Sequence, residues 1–167
     1  MFLKNIVKIG LASLLAVCGS TVAISADDKN YAYQLQLKNC GAYQLNYIKL
    51  QRKKAGSSSW MDEESWTTDG SEMGNGKTFC VDIRGGTYSF KPGDKARLKA
   101  YISGGEVVNC DSTNYGEATN QKSLRKMKMS GTTFNNNGCR TQSYGTPYKG
   151  SSSKCSHAGS RTYTGAC

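Results

Sequence analysis

From Tyr31 to Phe134 the apolar residues recur with a period of two rather than 3.6, so the chain predicts strands and no capped amphipathic helix. Tyr31, Tyr33, Leu35 and Leu37 alternate with Ala32, Gln34, Gln36 and Lys38 before a turn at Asn39-Cys40-Gly41. A second strand is expected over Tyr43 to Gln51. Its phase slips between Tyr47 and Ile48, as one extra residue in a β-bulge would produce. Phe79, Val81 and Ile83 alternate with Cys80 and Asp82, and Arg84-Gly85-Gly86 ends that strand. After the turn Lys91-Pro92-Gly93-Asp94 comes the cleanest alternation, with Ala96, Leu98, Ala100 and Ile102 inward and Arg97, Lys99 and Tyr101 outward. Ser103-Gly104-Gly105 reverses the chain into a return strand ending at Cys110. Leu124, Met127 and Met129, set among Arg125, Lys126 and Lys128, predict one more strand, with Thr132 to Phe134 as its partner. About seven short strands joined by Gly-rich turns predict an all-β fold, an antiparallel β-sandwich or small barrel.

Two segments depart from this pattern. Met1 to Ala26 has lysines at positions 4 and 8 and a short apolar run from Ile9 to Val17. It then has small residues at Ala23, Ser25 and Ala26, the layout of an export signal too short to anchor in a bilayer. Leu14-Leu15-Ala16-Val17-Cys18 resembles a bacterial lipobox, but Val17 stands where that motif takes a small residue. Removal of Cys18 with the signal is therefore the leading expectation, and lipid anchoring the lesser one. From Gly138 onward Val, Ile, Leu, Met and Phe are all absent, so this stretch cannot build a core of its own. The expected organisation is a signal over 1–26, a β domain over 27–137, and a Cys/Gly/Ser/Tyr-rich extension over 138–167.

Six cysteines follow the signal: Cys40, Cys80, Cys110, Cys139, Cys155 and Cys167. An even number in an exported chain predicts disulfides, each stabilising by about 2 to 4 kcal/mol. Three of the six lie in the extension, so at least one must reach outside it and pin an otherwise irregular tail to the β domain. The pairing itself stays open among 15 arrangements. There is no CxxC pair and only one histidine, His157, so neither a metal site nor a cofactor is expected. The chain also lacks an Asn-x-Ser/Thr acceptor, which with the lysine-flanked signal points to a bacterial periplasmic or secreted protein.

Charge adds a candidate chemistry. Of 22 Lys and Arg, Lys4 and Lys8 leave with the signal, and the remaining 20 against 12 Asp and Glu give +8. Residues 27–80 are balanced, so the excess lies in the later half. Arg97 and Lys99 project from one strand, and Arg125, Lys126 and Lys128 are expected to form a second basic row. Adjacent rows would attract phosphate, sulfate or uronate groups, although lysines on strands also guard sheet edges. Tyr144, Tyr148 and Tyr163 interleave with Arg140, Lys149, Lys154 and Arg161, a mixture suited to anionic glycans or single strands. These tyrosines could equally cover disulfides.

The leading expectation is a non-enzymatic exported binding protein, inhibitor-like, adhesin-like or toxin-like, whose partner is an anionic polymer, a glycan or a protein surface. The expected contacts are Arg97, Lys99, Arg125, Lys126, Lys128, Tyr144, Tyr148 and Tyr163. The alternative is a small secreted hydrolase of glycans or nucleic acid. It would use an acidic loop, Asp62-Glu63-Glu64 between Trp60 and Trp66, or His157.

Overall fold

The computed structural model describes residues 31–68, 73–84, 87–116, 122–149, 154–165 and 167. The expected signal at 1–26, with Cys18, lies outside them. Eleven strands are described: β1 (Tyr31–Ala32), β2 (Gln34–Asn39), β3 (Leu45–Lys53), β4 (Met61–Thr67), β5 (Lys77–Asp82), β6 (Lys95–Ile102), β7 (Val107–Asn109), β8 (Thr113–Tyr115), β9 (Leu124–Ser130), β10 (Gly138–Gly145) and β11 (Ser160–Tyr163). They form two sheets. The first runs β1-β8-β6-β3-β4 with β7 also paired to β6, and the second runs β10-β9-β2-β5-β11. Most pairings are antiparallel, while β1 with β8 and β2 with β9 are parallel.

The period-two residues meet between the sheets. Leu45, Ile48, Leu50, Leu98, Ala100 and Ile102 come from the first sheet, and Leu35, Leu37, Phe79, Val81, Met127 and Met129 from the second. A fully buried Leu or Phe contributes about 1.5–3 kcal/mol, so this layer is the main source of stability. Against β6 the register of β3 shifts between Leu45 and Tyr47, the neighbourhood in which the apolar phase slips in sequence.

Two inward arginines close the rim of the apolar layer. Arg52 Nε lies 2.6 Å from Glu63 Oε1, and its guanidinium also reaches Asp94 and the Ser89 carbonyl. Arg125 donates to Thr141 Oγ1 and the Ser112 carbonyl beside Asp111. Leaving such a buried cation without its partners costs several kcal/mol, which fixes both rims in one geometry.

The disulfide-pinned extension also supplies strands: β10 pairs with β9, and β11 with β5. The bridges Cys40–Cys167, Cys80–Cys155 and Cys110–Cys139 are nested in sequence. Cys110–Cys139 ties the end of β7 in the first sheet to β10 in the second. Cys80 faces outward from β5, where Cys155, Leu124 and Tyr148 cover it. Gly159 needs its φ of +75°, and a Cβ there would meet Phe79 at 2.6 Å.

Two local expectations are corrected. Thr132 to Phe134 is a turn, closed by the Thr132 amide on the Asn135 carbonyl, and the antiparallel partner of β9 is β10. Asp62-Glu63-Glu64 is not a loop but part of β4, an edge strand whose residues are mostly exposed, so it shows no apolar alternation.

Candidate functional site

The outward face of β3 and β6 is strongly charged. Antiparallel register sets Tyr47 opposite Tyr101, Lys49 opposite Lys99, Gln51 opposite Arg97 and Lys53 opposite Lys95. Five cations therefore share one patch two strands wide, and two of the cross-strand pairs are like-charged. Such pairs oppose folding by roughly 0.2–1 kcal/mol each. Edge protection does not explain them, because β6 is flanked by β8, β7 and β3, and β3 by β6 and β4.

Asp62 on β4 is the carboxylate of this face. It accepts from Lys49 Nζ and from Gln51 Nε2, each at 2.6 Å. The Lys49 hydrogen bond, then that from Gln51, hold its carboxyl below the usual range, and the same contact raises Lys49. Gln51 in turn accepts from Arg97 Nε at 2.8 Å. Burial pulls the Arg97 guanidinium below its ordinary value, where it lies 4.1 Å over the Trp60 ring.

The rings of this face are already engaged with one another or with cations. Tyr47 and Tyr101 stack at 3.8 Å, the Lys49 and Lys99 ammonium groups lie 5.7 and 5.4 Å from the Tyr101 centroid, and Lys53 sits 5.7 Å from Trp60. The surface thus presents directed positive charge, while the faces that a nucleobase would stack on are partly taken.

The residues expected from sequence do not share one surface. Arg97 and Lys99 belong to this face, joined by Lys95 and by Lys49 and Lys53, the last two from a stretch that regional charge counting passed over. Lys126 and Lys128 project from the outward side of the other sheet, so the two expected rows are not adjacent. Arg125 is corrected outright: it points inward, 5% exposed, and burial lowers its pKa. Tyr144 packs on the core with its ring 5.6 Å from the Arg125 guanidinium. Tyr148 is held by Gln34 and Gln36 over the Cys80–Cys155 bridge, a structural placement. Tyr163 ends β11, and its side chain is outside the described residues.

The groups of the alternative reading are each engaged elsewhere. Asp62 pairs with Lys49, Glu63 with Arg52, and Glu64 Oε1 accepts from the Ser65 amide. His157 Nδ1 lies 2.8 Å from the Asp82 carbonyl oxygen, and the His157 carbonyl accepts from Tyr88. Burial, followed by the charge of Glu64, pushes the Tyr88 phenol up to about 12. Ser156 Oγ accepts from Ser160. These contacts fasten the extension to β5 and its flanking loop. No group of three or more potential metal ligands occurs among the described residues.

No protein-family model, curated protein or solved structure matches the chain. Three disulfides fit an extracellular or periplasmic location, and no helix among the described residues is long and apolar enough to cross a membrane.

Proposed function

We propose that the protein is a secreted or periplasmic, non-enzymatic binding protein whose β3–β6 outer face takes an anionic glycan through its sulfate or carboxylate groups. The observation that carries this reading is the direct opposition of Lys49 to Lys99 and of Lys53 to Lys95 on non-edge strands. Lys49 is paired with Asp62, and the other four cations of the face gain most when an extended anion lies along them. The lysine-flanked leader and the three disulfides support export.

A glycan is favoured over single-stranded nucleic acid by the rings. Recognition of bases needs open aromatic platforms, and here Tyr47, Tyr101 and Trp60 are stacked on one another or on cations. Sulfates and carboxylates need only hydrogen-bond donors in a positive field.

Salt-gradient elution from immobilised heparin tests this. Wild-type protein is expected to bind at low salt and elute as salt rises, with a Lys49→Gln/Lys99→Gln variant eluting earlier. Absence of retention at low salt overturns the proposal. Tighter binding to denatured DNA than to heparin replaces the glycan with nucleic acid.

A further inference from the structure

The second sheet carries a cationic row of its own on the opposite outside of the sandwich. Register places Arg140 on β10 beside Lys128 on β9, and Lys128 beside Lys38 on β2, all projecting away from the core. Lys126 stands two residues further along the same side of β9, about 7 Å away by strand geometry. Lys38 and Lys128 again sit on non-edge strands, because the order is β10-β9-β2-β5-β11. Edge protection therefore accounts for Arg140 at most. The extension covers this sheet over Gln34 and the Cys80–Cys155 bridge, and its last residue, Cys167, is tied to Cys40 just beyond Lys38. Asp82, outward on β5 beside Gln34, is taken by Arg84 and Gln34.

We infer that this row is a second anion-binding face and that the protein bridges two anionic glycan chains, one on each outer surface. The inference rests on the reading of the β3–β6 face given above and extends it from binding to cross-linking. Packed sheets lie about 10 Å apart, and the two faces point in opposite directions. A short oligosaccharide cannot touch both, whereas long chains on either side become linked through the protein. Each face holds several cations, so each linkage is salt-sensitive.

Calorimetry with a heparin tetrasaccharide and light scattering with long-chain heparin test the inference together. Wild-type protein is expected to bind two tetrasaccharides and to turn long heparin turbid at low salt. Lys128→Gln/Arg140→Gln is expected to bind one and to leave the solution clear, and Lys49→Gln/Lys99→Gln to do the same. A thermal unfolding midpoint no lower than wild type shows that each variant is folded. A double variant that fails this check is replaced by the single substitution on the same face, Lys128→Gln or Lys99→Gln, for which a several-fold loss at that site only is expected.

Wild-type binding of a single tetrasaccharide overturns bridging while leaving the β3–β6 reading intact. Two sites and full turbidity in the Lys128→Gln/Arg140→Gln variant also overturn it. Binding of no tetrasaccharide overturns both.

Discussion

Replacing Lys99 by Gln separates a binding role from a structural one. Lys99 sits directly across from Lys49, and its ammonium lies 5.4 Å from the Tyr101 ring centroid. Substitution removes a like-charge cross-strand pair, a gain of about 0.2–1 kcal/mol. It also removes an exposed cation–π contact of about 0.5–1 kcal/mol. The two nearly cancel, and the Lys49–Asp62 pair survives, so unfolding free energy should change by no more than about 0.5 kcal/mol. Affinity for heparin should fall by about 1 kcal/mol, near fivefold, as for one lysine at an anionic surface. The slope of log affinity against log salt should shrink by about 1. Titration calorimetry across a salt series, paired with urea unfolding, measures all three quantities. Unchanged affinity with a stability loss above about 1 kcal/mol would refute the reasoning, because Lys99 would then be a packing residue.

Three other outcomes follow from the geometry. Cys167 is exposed, whereas Cys80, Cys155, Cys110 and Cys139 are buried, so mild reductant should open Cys40–Cys167 first. Its loss should cost about 4 kcal/mol, since it closes roughly 50 residues once the inner bridges are made; alkylation with mass spectrometry that finds Cys80–Cys155 opening equally fast contradicts this. For Asp82, burial raises the carboxyl pKa, but hydrogen bonds from Arg84 and Gln34 outweigh it and hold the value below 3.8. Its stabilisation is present above that pH and lost as pH falls through the depressed value, so Asp82→Asn should cost about 2 kcal/mol at neutral pH and progressively less below pH 3.8. An acid-unfolding series shows whether that gap closes. Gly159→Ala combines a φ of +75° with a Cβ 2.6 Å from Phe79, and should cost about 2 kcal/mol or more in urea unfolding.

Much of the core was legible because alternation over 35–37, 79–83 and 96–102 marks residues that do face inward. What escaped the sequence did so for identifiable reasons. β4 is a mostly exposed edge strand whose contact with the core is Trp66, so Met61 to Thr67 shows no apolar alternation and reads as an acidic loop. Leu124 faces outward beneath Tyr148 and the Cys80–Cys155 bridge, and treating it as a core residue hides the inward parity of Arg125. The β3–β6 site needed the pairing of strands 50 residues apart, which periodicity does not encode. Lys49 and Lys53 lie in a stretch whose charges balance in sequence although they do not balance on the face. The extension has too few apolar residues to signal strands, and its order comes from disulfides and from the sheet edges it completes.

An NMR titration of the isotopically labelled protein with heparin tetrasaccharide addresses the central claim most directly, since it reports which backbone amides sense the ligand. Shifts over 47–53 and 95–101, with a second set around Lys38, Lys128 and Arg140 on the other face, all attenuated by added salt, are the predicted result. An unchanged spectrum at low salt, or shifts confined to the neighbourhood of His157, would contradict it.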